Sequence, residues 1–323
     1  MTTVGIRFDL RAPAFAGVKL ADQYAACLDM CAWADERGID LCVLSEHHGV
    51  DDGYLSSPVT LAAAIAGRTR RMMINIAALL LPLHEPIRLA EQLAVASLAS
   101  GGRLSFVAGL GYRHEEFAMA GVDRTKRGRL LEEYVRVLRQ AWTGQPFTWQ
   151  GRTVRVTPVP AAPPMILIGG STEKAARRAA RLECGFFPAI GDPKLAVIYE
   201  EERKKVGFAG GFVMLPSGPG FVHVSADPAR DWQRVGPHAL YDAQTYAAWQ
   251  TPDQRSSMHV EAQTVDDMRR SDAYKVLTPA ETIALAKETG RVILHPLMGG
   301  MPAALGWENL RLFEREVLPH IRG

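Results

Sequence analysis

Glu46, His47 and His48 stand side by side directly after four apolar residues, in the stretch Leu41–Val50, LCVLSEHHGV. An apolar run of that length reads as a buried strand, so three ionisable side chains sit at its carboxyl end. Alternation along an extended chain sends His47 and His48 to different sides. One imidazole can then face a pocket as a general acid or base, while the other packs or hydrogen-bonds nearby. The same divergence makes the pair a poor metal site, and no His-Glu-x-x-His pattern occurs. Cys27 and Cys31 are four apart on a predicted helix, but no second ligand pair follows. With Cys42 and Cys184 they read as core thiols of a reducing, cytoplasmic compartment, and no metal is expected.

Other apolar runs end in similar company. NIAALLLPLHEP places the small pair Ala77 and Ala78 at the end of one, and GLGYRHEEF places Gly109 and Gly111 at the end of the next. Small residues there leave room for a flat ligand. In GGST, Gly169 and Gly170 let backbone approach closely. Ser171, Thr172 and the free N–H groups of the following helix can hold a phosphate, although a hydroxyl there also serves as a helix cap. Together these features suggest a phosphorylated planar cofactor. Arg113, His114, Glu115 and Glu116 follow the glycine run, and His295 ends the last apolar run; all are substrate or supporting candidates. Glu115 and Glu116 also read as a solvated first helical turn.

The elements that must position these residues alternate. Apolar runs predict strands at Val4–Phe8, Leu41–Leu44, Met72–Leu81, Leu104–Ala108, Met165–Ile168, Gly185–Pro188, Gly220–Val224 and Arg291–His295. Helical spacing fills the intervals, as at Leu20–Gly38, Pro86–Ser100 and Arg127–Trp142. Gly144–Val156 has the look of a small hairpin. About eight strand–helix units predict an α/β fold, a single (β/α)8 TIM barrel over 1–323, with active-site residues at the carboxyl ends of its strands. A polar, Gln- and Met-rich stretch around 226–275 reads as a late insertion capping the barrel. It carries Trp249, Met258, His259 and Met268, which suggest an apolar substrate cavity. Hydrophobic residues make up 47% and the net charge is +2, so neither nucleic acid nor a membrane is an expected partner.

The motifs SEHHG, AALLLPLHEPIRLAEQLAVASLASGGRLSFVAGLGYRHEEFA and PPMILIGGSTEKAARRAARLECGFFPA resemble the bacterial luciferase-like superfamily. GRVILHPLMGGMPAALGWENLRLFEREVLP is similar to the close of one branch of it. The superfamily comprises FMN-dependent monooxygenases and hydride transferases that use the deazaflavin coenzyme F-420. The resemblance implies that His47 is the active-site histidine near the flavin ring. It implies a non-prolyl cis peptide at Ala77–Ala78 beneath that ring, and a phosphate turn at Gly169, Gly170, Ser171 and Thr172, with help from Arg124 or Arg127. Luciferase itself has a reactive cysteine where this chain has Gly109, which argues against light emission. The expected activity is oxygenation of a small organic substrate with reduced FMN, which a separate flavin reductase can supply. The alternatives are F-420-dependent hydride transfer and flavin binding without catalysis. The resemblance also implies a homodimer, formed through helices flanking the second and third strands.

Overall fold

The computed structural model describes residues 2–251 and 254–322, so positions 252 and 253 of the expected insertion lie outside the described residues. The strands are β1 (Thr3–Phe8), β2 (Leu41–Leu44), β3 (Met73–Leu79), β4 (Leu104–Ala108), β5 (Phe147–Trp149), β6 (Arg152–Val154), β7 (Met165–Gly170), β8 (Gly185–Pro188), β9 (Phe221–Val224), β10 (Tyr274–Leu277) and β11 (Arg291–Leu294). Among the described residues, nine of them form one parallel sheet in the order β10-β9-β11-β1-β2-β3-β4-β7-β8. β5 and β6 pair antiparallel, as the alternating, glycine-flanked segment predicts.

The register of this sheet explains where the core lies. Ile6, Cys42, Ile74 and Leu104 are aligned in one row, and Phe8, Leu44, Ile76, Phe106 and Ile166 in another. Both rows are buried against the helices on the outer face of the sheet. The row between them runs Arg7, Val43, Asn75, Ser105, Met165, and it faces the other way because successive strand residues alternate. That inner row is mixed rather than wholly apolar: Asn75 Nδ2 donates to Ser105 Oγ at 2.8 Å. Cys27, Cys31 and Cys42 are fully buried between the helix Leu20–Glu36 and β2, and the sulfurs of Cys31 and Cys42 lie 3.8 Å apart. They are packing residues.

One strand is not legible in the sequence. β10 lies inside the stretch expected to be an insertion, after the helices Pro228–Ala248 and Val265–Arg270. YKVL is short and carries a lysine, so its pattern is weak. Pairing with β9 buries Tyr274 and Val276, and burial rather than propensity makes it a strand. No helix among the described residues is long and apolar enough to cross a membrane.

Candidate active site

His47 leaves the end of β2 on the inner side of the sheet and is buried to 5% exposure. Its Nδ1 lies 2.8 Å from Glu116 Oε1, and its Nε2 lies 3.2 Å from the Tyr112 hydroxyl. A carboxylate accepts hydrogen bonds only, so Glu116 holds the imidazole proton at Nδ1 and leaves Nε2 as the acceptor. Burial pushes the His47 pKa below its ordinary value, and the attraction of Glu116 offsets this only in part. The ring is therefore neutral at pH 7. Burial pushes the Tyr112 phenol far above its usual range, so Tyr112 stays protonated and donates to Nε2. Trp249 and Tyr54 close the pocket around the imidazole, with ring centroids 4.7 and 4.9 Å away.

His48 points elsewhere, as alternation requires. Its Nε2 meets Glu46 Oε1 at 3.0 Å, and His84 Nε2 meets the same oxygen at 2.7 Å. Burial would raise the Glu46 carboxyl, but His84, His48 and the Leu80 backbone amide outweigh it and hold its pKa at about 2. Glu46 is thus a permanent anion that ties the β2 end to the segment after β3. His48 shifts in the other direction: burial lowers its pKa, Glu46 outweighs burial, and the result is above the ordinary value.

The turn after β4 corrects part of the expectation from sequence. His114 and Glu115 are exposed on the helix His114–Ala120, and neither joins the His47 cluster. Arg113, Glu116 and Phe117 are buried instead. The reason is helical phase: positions i, i+3 and i+4 share the inward face, and the two residues between turn to solvent. Arg113 Nη1 donates to the His48 carbonyl at 2.8 Å and approaches Glu116 Oε1 at 3.4 Å, while its guanidinium stacks 4.4 Å from the Trp249 ring.

Next to the end of β2, the end of β3 carries small residues. The Ala77–Ala78 peptide is cis, and the pairing of β3 with β4 shifts register between Ala77 and Leu79. Ser45 Oγ donates to the Ala77 carbonyl at 3.3 Å and accepts from Arg7 Nη2 at 3.0 Å. A Cβ on Gly109 would stand 2.7 Å from Ala78 Cβ, so only glycine fits beside the bulge. Gly111 has φ +72° and packs on Phe117. At the end of β7, Gly170 has φ +146°, and a Cβ there would meet Ala175 Cβ at 2.6 Å. Thr172 Oγ1 accepts from Ala175 N at 3.2 Å, so this hydroxyl caps the helix Glu173–Arg181. Ser171 is half-buried beside it. Arg124 Nε donates to the Tyr112 carbonyl at 3.1 Å, placing Arg124 beside the His47 cluster.

His295 does not reach His47. It is buried at the end of β11, where its Nε2 lies 3.6 Å from Asp9 Oδ1. Asp9 belongs to a group of side chains that the motifs do not single out. Arg11 is completely buried; its Nε donates to Asp52 at 2.6 Å and its Nη1 to Asp242 at 2.9 Å. Tyr241 donates to Asp52 at 2.8 Å and Tyr274 to Asp242 at 2.6 Å. This network fastens the helix Pro228–Ala248, which carries Tyr241, Asp242 and Tyr246, over the ends of β1 and β2. A signal is nevertheless present in RFDLR: Arg7, Asp9 and Arg11 alternate with apolar residues and so share the inner side of the strand end.

The family model for luciferase-like monooxygenases matches residues 6–291. The chain belongs to the luciferase-like monooxygenase family. It spans about half the length of the curated relatives it matches, among them uncharacterised mycobacterial proteins at 33% identity over 41% of this chain and 48% of theirs. Solved structures match over nearly the whole chain. The monooxygenase RslO1 from Streptomyces bottropensis is 25% identical, with a TM-score of 0.76 over 98% of this chain and 99% of its own. The FMN complex of the oxygenating constituent of 3,6-diketocamphane monooxygenase from Pseudomonas putida is 18% identical, with a TM-score of 0.70 over 99% of both chains. An F420-dependent secondary alcohol dehydrogenase holding an F420–acetone adduct is 15% identical, with a TM-score of 0.69 over 100% of this chain and 99% of that one. These likenesses establish the luciferase-like (β/α)8 barrel fold; of the solved relatives, one holds FMN and another an F420 adduct.

The residues present fit such a cofactor. Ala77 and Ala78 carry only methyl side chains and are half-buried, and Gly109, Gly169 and Gly170 let their strand ends pack closely on Ala78, Val107 and Ala175, which would leave backbone rather than bulky side chains toward a planar, phosphorylated group. Gly109→Ala tests this. A methyl group at Gly109 would stand 2.7 Å from Ala78 Cβ, so the bulge must shift. Overpacking of that kind costs about 1–3 kcal/mol, so cofactor affinity measured by titration should fall roughly tenfold or more. Unchanged affinity would remove the bulge from the cofactor site.

Proposed function

We propose that this protein is a reduced-FMN monooxygenase that oxygenates a small organic substrate, with the flavin supplied reduced by a separate reductase. The observation that carries this reading is the neutral His47 held between Glu116 and Tyr112 at the end of β2, the strand next to the β3 end that carries Ala77 and Ala78. Bound reduced flavin supplies the electrons with which oxygen is activated. The protein's own part is positional and acid–base. His47 Nε2 takes or returns a proton at the pocket wall, with Glu116 holding its orientation and stabilising the imidazolium when it forms. Tyr54, Tyr246 and Trp249 exclude water around it. Ser171 and the Gly169–Gly170 backbone would hold the phosphate, beside the N-terminus of the helix that Thr172 caps.

The test is an anaerobic titration of the full chain with reduced FMN and, separately, with reduced coenzyme F-420. We expect tighter binding of FMN, followed by oxygen uptake when air is admitted. Preference for the deazaflavin would replace this reading with hydride transfer, and binding without turnover would leave a flavin-binding protein.

We also propose a homodimer through the helices Pro58–Arg68 and Pro86–Ser100. Val95 and Leu98, 51% and 45% exposed, present apolar surface on the second of these. Light scattering of the eluting protein should give twice the chain mass of 35.4 kDa, and Val95→Asp with Leu98→Asp should return it to one.

A further inference from the structure

Three donors converge on a single oxygen beside His47. Glu116 Oε1 lies 2.8 Å from His47 Nδ1, accepts from the His48 backbone amide at 3.0 Å, and is approached by Arg113 Nη1 at 3.4 Å. Among the described residues, Glu116 Oε2 and Arg113 Nε are buried without a hydrogen-bond partner. The pair is thus joined at one point, not by the two parallel bonds that a guanidinium and a carboxylate can share. Two contacts hold the guanidinium in this position. Nη1 also donates to the His48 carbonyl at 2.8 Å, and the group lies 4.4 Å from the Trp249 ring. The Arg113 side chain is 8% exposed and that of Glu116 wholly buried, so solvent does little to screen one from the other. Glu115, whose Oε2 is 4.0 Å from Arg113 Nε, is largely exposed and contributes little.

We propose that Arg113 is a positioning residue that shares Glu116 Oε1 with His47 and thereby sets how readily the imidazole takes up a proton. A proton arriving at His47 makes an imidazolium, which Glu116 stabilises by charge and by hydrogen bond. Arg113 draws on the same oxygen and adds a fixed positive charge of its own. Both effects oppose the imidazolium, so they act in one direction. The other groups facing the ring divide clearly. Burial lowers the His47 pKa, Glu116 on the helix His114–Ala120 and Glu46 on its own strand end raise it, and Arg113 lowers it. Tyr112, Tyr54 and Tyr246 are phenols whose pKa burial raises, so they stay uncharged at pH 7. Trp249 is the C-cap of the helix Pro228–Ala248. Because the guanidinium rests on its ring, the setting of His47 is tied to the docking of that helix.

The inference rests on the reading of His47 as the acid–base residue, but its test uses neither cofactor nor turnover. The titration midpoint of His47 is read by NMR on the full chain with ¹⁵N-labelled histidine, its signal being the one missing from His47→Gln. Arg113→Met should raise that midpoint by about one pH unit or more, a tenfold or greater gain in proton affinity. Arg113→Lys keeps the positive charge and should stay within about a third of that rise. Water entering a loosened pocket would also raise the midpoint, so the shared carboxylate is removed as a control. In a Glu116→Gln background, Arg113→Met should move His47 by less than about half as much, because the oxygen being shared no longer carries charge. Water entry would act equally in either background. An unmoved midpoint in folded Arg113→Met protein would overturn the proposal. So would a rise of equal size in Arg113→Lys, or an undiminished rise in the Glu116→Gln background. None of these results bears on the flavin titration, which stands or falls separately.

Discussion

His47→Ala is expected to lower turnover of the reduced cofactor by about 10²-fold or more, the usual scale for losing a positioned acid or base. The variant should still fold. Glu116, which loses the imidazole, keeps the His48 backbone amide at 3.0 Å and the Arg113 guanidinium at 3.4 Å, so no buried carboxylate is left bare. Cofactor affinity should change little, because the platform at Ala77, Ala78 and Gly109 makes no use of the imidazole. The pH profile separates the proton-transfer role from a packing role. A base must be unprotonated to act, and burial places the His47 pKa below its ordinary value of 6.5. Wild-type kcat/KM should therefore hold through pH 6.5 and fall only on further acidification, and this acid limb should vanish in His47→Ala. Near wild-type turnover, or an acid limb that persists unchanged, would take His47 out of the mechanism. Glu116→Gln should lower turnover less while moving the limb, since the orienting partner remains but its charge does not.

Arg11→Met should produce the largest loss of stability. The guanidinium is wholly buried between Asp52 and Asp242, and removing one member of a buried ion cluster costs about 3–5 kcal/mol because the others are left uncompensated. Tyr241 and Tyr274 soften the loss by donating to the two carboxylates, so the chain should still fold at low temperature. The urea midpoint reads the effect. Neutralising the stranded acids in Arg11→Met/Asp52→Asn/Asp242→Asn should recover part of the stability, which a loss of packing alone would not allow. A single variant within about 1 kcal/mol of wild type would mean that water reaches the cluster and screens it as at a surface.

Several features of this site are legible in the amino-acid order alone. Glu46, His47 and His48 are consecutive, so strand alternation already separates the inward imidazole from the one that turns to Glu46. Glu116 is within reach of the same kind of reasoning: Arg113, Glu116 and Phe117 follow helical phase, and the exposure of His114 and Glu115 is its complement. The Arg7, Asp9, Arg11 alternation at the end of β1 is equally open to it. Two helices also carry capping-box spacing, Thr264 with Asp267 and Thr278 with Glu281, and the second opens the helix Pro279–Thr289.

Tyr54, Tyr246, Trp249 and Asp242 are of a different kind. Tyr246 meets Tyr54 across 192 residues and Asp242 meets Arg11 across 231, and nothing in YDAQTYAAW distinguishes a pocket wall from any amphipathic helix. The position of β10, outside β9 rather than between it and β11, is hidden for the same reason. By itself the sequence determined which residues form most of the strands and helices, which side of each strand is apolar, and that chemistry gathers where the strands end. These follow from backbone dihedrals and side-chain periodicity, which act over a few residues. Only the tertiary structure decided which strand ends become neighbours, and hence that Glu116 holds His47, that Arg11 fastens the helix Pro228–Ala248, and that His295 comes within 3.6 Å of Asp9. Those pairings depend on the order of strands in the sheet and on how a distant helix docks over it, and both are settled by the burial of the whole chain rather than by any local pattern.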